Sequence, residues 1–295
     1  MHLRKCLLII GSFYFIVEGT DVDEHPNWKY LPENCGKAKE NQFRIYGGQE
    51  AQLGEFPWMV RLRGEKHGLH GFVCGAALIG PRHILTAAHC QEDVNIVSVR
   101  IGEYDTKKPI DCDDDGCAPE HQDIEVEYFR AHPKWSTSTL HNDIAVVKLV
   151  RDATFNDYVQ PICLPGRNTF FKTYDPTGSV KLAGWGYADN SSRIHLPHVL
   201  QFVNLPVKEM SYCSEYYPKY RSTFIANDQL CIGSPDGKDT CEGDSGGPVM
   251  QEIKVDNEYR FHSLGVVSFG SSKCGKAPAI YTNVRAYLKW ILDNL

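Results

Sequence analysis

Short apolar runs separated by turn-forming residues make up most of this sequence from residue 45 onward. Gly, Pro, Asn and Asp lie between the runs. Clear examples of the runs are residues 72–79, 96–101, 144–150, 180–182, 198–206, 263–269 and 279–281. Many short strands joined by frequent turns are typical of sandwiches and barrels. The pattern therefore predicts an all-β protein.

The end of the chain follows a different period. Apolar residues recur there at spacings of three and four, at Val284, Tyr287, Leu288, Ile291 and Leu295. This period is that of one face of a helix. Residues 284–295 are therefore predicted to form an amphipathic helix packed on the strands.

The first residues have the layout of a secretory signal. Arg4 and Lys5 precede an apolar run at residues 7–17, which ends near Gly19. An uncleaved membrane anchor is the alternative, but the run falls short of the ~20 residues that a spanning helix needs. We expect residues 1–19 to be a signal peptide, the protein to be secreted to the extracellular space, and the membrane not to be a partner.

Cysteine usage agrees with export. The chain has 11 cysteines, and removal of the signal would remove Cys6. An even number then remains, which indicates disulfides in an exported protein, whereas the paired CxxC or HxxxH spacings of a metal site are absent. We expect five disulfides, and spacing alone does not fix their connectivity.

Size and charge narrow the function classes. The chain of 295 residues is long enough for one large domain or two medium ones. Its formal net charge is −6, so it lacks the broad basic field that captures nucleic acid. We do not expect a nucleic-acid partner.

Residues 240–249 read Thr-Cys-Glu-Gly-Asp-Ser-Gly-Gly-Pro-Val. A serine between glycines suits a nucleophile on a tight turn whose backbone N–H groups reach a developing oxyanion. His89 follows an apolar strand among small residues, and Asp143 lies at the start of another. Each has a simpler alternative: a core histidine, a turn carboxylate and a loop serine. Their joint occurrence favours acyl transfer by Ser245, His89 and Asp143, which needs no cofactor.

These motifs resemble those of the chymotrypsin-like (trypsin family) serine proteases, and the resemblance runs from about residue 45 to residue 295. It implies two six-stranded antiparallel β-barrels with the active site in the cleft between them. Ser245 is then the nucleophile, His89 the general base and acid, and Asp143 the residue that orients His89. The backbone N–H groups of Gly243 and Ser245 are expected to form the oxyanion hole.

The resemblance also implies a primary substrate pocket. Asp239, six residues before Ser245, is expected at its floor, where a carboxylate pairs with Arg or Lys of the substrate. The alternative is a solvated loop carboxylate beside Lys238. Ser268, Gly270 and Ala279 resemble the residues that line the walls of this pocket in similar enzymes. Ala279 stands where those enzymes usually carry glycine. Its methyl group is expected to alter the Arg/Lys preference or to reduce turnover.

The segment at residues 20–44 is expected to be an activation propeptide, followed by a protease domain at residues 45–295. Cleavage after Arg44 would free an ammonium at Ile45, which by resemblance pairs with Asp244. The alternative is that Arg44 is an ordinary exposed arginine, but residues 45–48, Ile-Tyr-Gly-Gly, favour the zymogen.

The family pattern also implies the cysteine pairing. The expected pairs are Cys35–Cys163, Cys74–Cys90, Cys112–Cys117, Cys213–Cys231 and Cys241–Cys274. The Cys35–Cys163 bond would tether the propeptide after cleavage. Together with residues 30–36, the small loop of Cys112–Cys117 is similar to arthropod clip-domain proteases of immune and developmental cascades. The six-cysteine clip module of those proteins is expected to be absent.

Two further sites follow from the sequence. By resemblance, the acidic loop that holds Glu103, Asp105 and Asp111 is expected to bind structural calcium, a hard cation that prefers oxygen ligands. A solvated acidic loop tip is the alternative. Asn190 begins an Asn-Ser-Ser glycosylation sequon.

The favoured function is a trypsin-like endopeptidase of an immune, melanisation or coagulation-like cascade, or of venom. Its expected partners are protein substrates, an upstream activating protease and serpin-type or other protease inhibitors. The alternative is a catalytically silent homologue that acts as a binding or cofactor protein. Such homologues usually lack Ser, His or Asp of the triad, and all three are present here.

Overall fold

The computed structural model describes residues 22–39, 49–172, 174–187, 197–220, 224, 227–235, 243–271 and 274–295. Arg44, Ile45, Asn190, Asp239 and Cys241 lie outside the described residues, as does the expected signal peptide. No helix in these ranges is both long enough and apolar enough to cross a membrane.

Antiparallel strands dominate the described ranges. In chain order they are β1 (Gln49–Glu50), β2 (Met59–Lys66), β3 (Leu69–Gly80), β4 (His83–Thr86), β5 (Asn95–Ile101), β6 (Cys112–Asp113), β7 (Gly116–Cys117), β8 (Gln122–Ala131), β9 (Ala145–Leu149), β10 (Ser179–Gly184), β11 (Gln201–Lys208), β12 (Gln229–Ile232), β13 (Pro248–Val255), β14 (Glu258–Phe269) and β15 (Ala279–Asn283).

The strands form two barrels. The first closes in the order β2-β3-β4-β9-β8-β5. The second has the order β11-β10-β13-β14-β15-β12, is closed by the pairing of β11 with β12, and carries β1 on β11. Strands β6 and β7 form a separate small ribbon. The prediction of two six-stranded antiparallel barrels is confirmed.

Apolar side chains fill both barrels and the contact between them. Leu62, Leu78 and Ile84 are fully buried in the first, and Tyr281 is fully buried in the second. Trp58 is also fully buried, and its indole N–H lies 2.9 Å from Sδ of Met250 in β13. Closure pairs both edges of each of the six strands in a barrel, and the cleft between the barrels becomes the natural place for a site.

Helices are few and short. Helix α1 spans Met210–Tyr216 and helix α2 spans Leu288–Asp293. A 3₁₀ turn at Val284–Tyr287 leads into α2, and the side chain of Asn283 accepts a hydrogen bond from the Arg285 N–H to cap it. The predicted C-terminal helix is confirmed. Its first turn is 3₁₀, and Ile291 is among the residues buried beneath it.

Residues 22–39 include 3₁₀ turns at Val22–Glu24 and Pro26–Tyr30, and the Asn27 side chain donates to the Leu292 carbonyl of the C-terminal helix at 2.8 Å. The Trp28 side chain is buried beside Leu288, and its indole N–H donates to the Val22 carbonyl at 2.8 Å. A Cβ at Gly166 would approach the Trp28 ring within 2.6 Å, so this glycine leaves room for the indole. The segment therefore belongs to the packed core.

Backbone hydrogen bonds at Gly36 also fix this segment. The N–H of Gly36 donates to the Pro161 carbonyl at 2.7 Å, and the Gly36 carbonyl accepts from Phe261 at 2.9 Å. The adjacent residue forms the disulfide Cys35–Cys163. Covalent and hydrogen-bonded contacts thus anchor this segment to the Pro161–Cys163 connection and to β14 of the second barrel.

Four of the five expected cysteine pairs are present as disulfides. They are Cys35–Cys163, Cys74–Cys90, Cys112–Cys117 and Cys213–Cys231. The Cys35–Cys163 bond joins residues separated by 128 positions. The fifth pair, Cys241–Cys274, includes a cysteine outside the described residues.

Candidate active site

The two barrels supply different parts of one site. His89 lies in a 3₁₀ turn, Ala88–Gln91, that follows β4, and Asp143 lies just before β9. Ser245 lies in the turn that leads into β13. The first barrel therefore carries the histidine and the aspartate, and the second carries the serine.

His89 and Asp143 form a two-point contact. Nδ1 of His89 lies 2.7 Å from Oδ2 of Asp143, and the backbone N–H of His89 donates to Oδ1 at 3.0 Å. Asp143 is only 1% exposed. The buried carboxylate therefore fixes both the imidazole ring and its backbone, leaving Nε2 as the second ring nitrogen.

Strands of the second barrel complete the surroundings of Asp143. The Ser268 hydroxyl donates to Oδ2 at 2.6 Å, and the Thr282 hydroxyl donates to the Asp143 backbone carbonyl at 2.7 Å. Ser268 was predicted as a wall of the substrate pocket, and its hydroxyl is directed to the carboxylate. Thr282 lies in no recognised motif and was not predicted from the sequence. A polar residue in an otherwise apolar strand is the only sequence signal for it.

Opposing effects act on the imidazole. Burial disfavours its charged form, but the hydrogen bond and the negative charge of Asp143, with a smaller contribution from Glu92, outweigh burial. The pKa of His89 is therefore raised above its ordinary value. An imidazolium formed at this position is stabilised, as a general base requires once it has taken a proton.

The turn around Ser245 needs glycine. Gly243 and Gly246 have φ values of 105° and 79°, which L side chains rarely adopt. The N–H of Gly75 in the first barrel donates to the Ser245 carbonyl at 2.8 Å, and the Thr86 hydroxyl donates to the Gly75 carbonyl at 3.0 Å. The serine turn is thus attached to the barrel that carries His89.

Ser245, Gly243 and His89 line one cleft of about 490 Å³. The predicted nucleophile, the predicted base and the residues of the expected oxyanion hole therefore border the same space. Cys74 and Cys90 lie beside His89, and their sulfur atoms are joined in a disulfide. Because a disulfide offers no thiolate, this group is not a metal site.

The Asp244 carboxylate lies against two glycines at the end of β10, Gly184 and Gly186. Its Oδ1 accepts a hydrogen bond from the Gly186 N–H at 2.8 Å. A Cβ at Gly186 would lie 2.6 Å from the Asp244 carboxylate, and one at Gly184 would overlap Oδ1. Both glycines leave room for the carboxylate, and sequence reasoning missed them because only the tertiary contact shows the need.

The expected substrate pocket is described in part. Ala279 is buried at the start of β15, and a Cβ built at Gly270 would lie 3.1 Å from its methyl carbon. The two predicted walls therefore face each other at Gly270 and Ala279. Asp239, the expected floor, lies outside the described residues.

The acidic loop brings its three predicted carboxylates into buried positions. Glu103 forms an ion pair with Arg100 at 3.2 Å, and Asp105 forms one with Lys108 at 3.1 Å. Asp111 Oδ2 accepts from the Asp105 N–H, whereas Oδ1 has no hydrogen-bond partner in the described part of the chain. Burial raises the pKa of Asp111. The loop therefore leaves one buried carboxylate oxygen without a hydrogen-bond partner in the described residues, while Arg100 and Lys108 form ion pairs with the other two side chains.

A family model described as Trypsin matches residues 45–291. The chain is 38% identical over 276 residues to the CLIP domain-containing serine protease HP8 of Bombyx mori, covering 90% of this chain and 73% of that one. It is 37% identical to phenoloxidase-activating factor 3 of Holotrichia diomphalia, covering 90% and 76%. It is 36% identical to the Spaetzle-processing enzyme of Drosophila melanogaster, covering 85% and 66%.

A solved structure gives the same picture. The crystal structure of the Drosophila Grass clip serine protease of the Toll pathway aligns with a TM-score of 0.78 and 33% sequence identity. The alignment covers 90% of this chain and 76% of that one. The likeness to clip-domain proteases inferred from the sequence is confirmed.

Proposed function

Because this chain belongs to the trypsin family of serine proteases, we propose that it is the secreted zymogen of an endopeptidase that cleaves after Arg or Lys. The observation that carries the proposal is the 2.7 Å contact between His89 and the buried Asp143, at the cleft that Ser245 also borders. A base that is held by a carboxylate and borders the same cleft as a serine hydroxyl is the arrangement that acyl transfer needs.

In the proposed mechanism, Oγ of Ser245 attacks the scissile carbonyl carbon while Nε2 of His89 takes the hydroxyl proton. The backbone N–H groups of Gly243 and Ser245 stabilise the oxyanion. His89 then gives its proton to the leaving amine as the C–N bond breaks, which leaves an acyl-enzyme. Water, deprotonated by His89, releases the acid and restores Ser245. Asp143 stabilises the imidazolium in both halves.

One experiment distinguishes the proposed protease from the alternative, a catalytically silent homologue that acts as a binding or cofactor protein. The activated protein is treated with a phosphonate that reacts with active-site serines, and the labelled peptide is identified by mass spectrometry. We expect stoichiometric labelling at Ser245, none in Ser245→Ala, and strongly reduced labelling in His89→Ala. An unlabelled wild-type protein after complete cleavage would favour the silent homologue.

Substrate specificity rests on the position of Asp239 in the sequence, six residues before Ser245. A carboxylate in a confined pocket pairs with a cationic side chain, which gives cleavage after Arg or Lys. The contact between the Gly270 position and the Ala279 methyl carbon supports the view that this methyl narrows the pocket. Arg and Lys fill such a pocket differently, so Ala279 sets the preference between them.

Activation is proposed to follow cleavage between Arg44 and Ile45. The new ammonium would pair with Asp244, whose carboxylate already accepts a hydrogen bond from Gly186. Arg44→Gln blocks this cleavage and should leave a nearly inert protein, whereas adding the activating protease to the wild type should raise activity. Full activity of uncut Arg44→Gln would contradict the zymogen proposal.

The cleaved propeptide is proposed to stay attached. The disulfide Cys35–Cys163 and the buried Trp28 support this, because both tie residues 22–39 to the barrels. Activated protein should run as one band on a non-reducing gel and as two bands after reduction. One band under both conditions would contradict the tether.

A place in a proteolytic cascade, or in venom, is proposed for the enzyme. The names of the relatives support the cascade, since they include a Spaetzle-processing enzyme and a phenoloxidase-activating factor. The proposed partners are protein substrates, an upstream activating protease and serpin-type inhibitors, and the proposed location is extracellular. The sequon at Asn190 is proposed to carry an N-linked glycan, which a glycosidase-dependent mass shift would reveal.

Structural calcium in the acidic loop remains a proposal. The buried Oδ1 of Asp111 supports it, and Glu103 and Asp105 are the other donors. Binding would require Arg100 and Lys108 to share or yield these carboxylates. Millimolar calcium should raise the melting temperature of the wild type and not that of Asp111→Asn. Equal melting temperatures in calcium and EDTA would contradict the site.

A further inference from the structure

A second cavity, of about 370 Å³, shares no lining residue with the cleft at Ser245. Three parts of the chain form most of its wall: residues 22–39, the connection at residues 162–171 and the hairpin of β13 and β14. Its volume falls within the ~300–1,000 Å³ that sites for small molecules usually have. The proposed catalysis gives this cavity no role.

Most of the cavity wall is apolar. Phe171 is 2% exposed, and the centre of its ring lies 4.8 Å from that of His262. Trp28 lines the cavity from the N-terminal segment. The other buried apolar side chains of the wall are Leu31, Ile79, Ile162 and Leu164. Aromatic and aliphatic surface of this kind favours a ligand with an apolar ring, because the ring leaves water when it binds.

His262 supplies a polar atom within this apolar wall. Its side chain is buried and lines the cavity. Nδ1 lies 3.0 Å from the Arg260 carbonyl, and burial lowers the pKa of His262 to about 4. The ring is therefore neutral at neutral pH, and because a carbonyl only accepts, Nδ1 carries the proton. Nε2 keeps an acceptor lone pair, and no donor in the described ranges bonds to it. A matching ligand must bring an O–H or N–H donor.

The exposed residues of the wall are charged and contact one another. Arg167 forms a 3.3 Å ion pair with Glu33, and the Asn168 side chain donates to the Asp256 carboxylate at 3.1 Å. The remaining charged lining residues, Glu258 and Arg260, pair with each other. Three carboxylates against two guanidinium groups give this rim an excess of negative charge. An anionic ligand is therefore disfavoured.

We propose that this cavity binds small neutral phenols. The aromatic ring would lie against the apolar wall, and the hydroxyl would donate to Nε2 of His262. A phenol combines an apolar ring with a hydrogen-bond donor and has no charge at neutral pH. The proposal does not depend on the protease function, because the cavity and the cleft at Ser245 have separate walls.

Three matched ligands test the proposal on the uncleaved protein, in which residues 22–39 complete the wall. They are 4-methylphenol, its methyl ether 4-methylanisole, and 4-methylbenzoate, and calorimetric titration gives their dissociation constants. We expect 4-methylphenol to bind with a Kd below about 1 mM. The methyl ether should bind about tenfold more weakly, because it leaves Nε2 without a donor. The anionic benzoate should bind most weakly of the three.

The variant His262→Leu should abolish the preference for the phenol over its methyl ether, because leucine offers no acceptor. His83→Leu is the matched control. His83 is also buried and burial also lowers its pKa to about 4, but it does not line the cavity. This control should keep the wild-type preference.

The ligand series on the wild type is decisive even if His262→Leu does not fold. No saturable binding of 4-methylphenol, or equal dissociation constants for the phenol and the methyl ether, would overturn the proposal. An undiminished preference in a folded His262→Leu protein would also overturn it, because the hydroxyl would then bind elsewhere.

Discussion

The Ser268 hydroxyl donates a 2.6 Å hydrogen bond to Oδ2 of Asp143, the same oxygen that contacts Nδ1 of His89. Ser268 belongs to β14 of the second barrel, whereas Asp143 adjoins β9 of the first. One carboxylate oxygen is therefore the meeting point of both barrels. The other carboxylate oxygen, Oδ1, accepts from the His89 backbone N–H. A buried carboxylate with three hydrogen bonds keeps its orientation, and so does the imidazole that it contacts.

Removing that hydroxyl should weaken the orientation of Asp143. We expect Ser268→Ala to lower kcat about 30-fold with little change in KM, because hydrogen bonds to charged groups contribute about 2 kcal/mol. The control is Ser263→Ala, since Ser263 is also buried in β14 but its hydroxyl donates only a 3.4 Å bond to the Gly265 carbonyl. Equal kcat values for the two variants would contradict the role of Ser268.

The raised pKa of His89 predicts the pH dependence of activity. In the proposed mechanism the neutral imidazole of His89 is the general base, so activity should be low at acidic pH and rise through the pKa of His89. Because Asp143 raises that pKa, the midpoint of kcat/KM against pH should lie above 6.5, the ordinary value. A midpoint below 6.5 would contradict this prediction, because it would mean that burial lowers the pKa of His89 more than Asp143 raises it.

Asp143→Asn tests the cause of that shift. The substitution removes the negative charge that raises the pKa of His89 and leaves burial, which lowers it. The midpoint of the His89 titration, followed by NMR, should therefore move to lower pH in the variant. A titration unchanged from the wild type would contradict the assignment to Asp143.

The glycines around Asp244 should be intolerant of a side chain. A Cβ at Gly184 would overlap Oδ1 of Asp244, so we expect Gly184→Ala to lower the free energy of unfolding by about 1–3 kcal/mol, the usual cost of overpacking. In an Asp244→Ala background the same change should cost less than about 0.5 kcal/mol. Urea denaturation of the four proteins measures the coupling, and additive costs would exclude this contact as the cause.

The N-terminal segment should contribute to the stability of the whole domain. Trp28 is 6% exposed and packs near Leu288, so Trp28→Ala should lower the free energy of unfolding by about 3 kcal/mol. Tyr30, two residues away, is 44% exposed, and Tyr30→Ala should cost less than about 1 kcal/mol. Similar losses for both variants would show that residues 22–39 do not dock through Trp28.

The methyl group of Ala279 is predicted to alter the preference of the enzyme between Arg and Lys substrates. Its methyl carbon faces Gly270, and Ala279→Gly removes it. We expect the glycine variant to hydrolyse matched Arg and Lys peptides faster and with a changed ratio of kcat/KM values, because the flat guanidinium and the compact ammonium fill the pocket differently. Unchanged rates and an unchanged ratio would refute a role for this methyl group.

Local pattern was enough for much of the fold. The seven apolar runs named from the sequence all overlap strands, because each supplies a buried face. Strand β8 (Gln122–Ala131) was not among them, since charged residues interrupt it and Ile124 is its one fully buried residue. Helix α1 (Met210–Tyr216) was missed because it is short, lacks a side-chain cap and buries only Cys213.

Motifs identified the main candidates of the site but not their supports. His89, Asp143 and Ser245 stand in recognisable local contexts, and the structure brings the first two into direct contact. The partners Thr282, Gly184 and Gly75 have no such context. Their roles depend on distances between strands that are remote in sequence, so a single sequence cannot specify them.

The hydrogen bond from Gly75 to the Ser245 carbonyl has a mechanical consequence. Gly75 belongs to the barrel that carries His89, whereas the Ser245 turn leads into the other barrel. The Gly246 N–H donates to the Val267 carbonyl in β14 at 2.9 Å, so the same turn is also bonded to its own barrel. The position of Ser245 relative to His89 therefore depends on how the two barrels pack against each other.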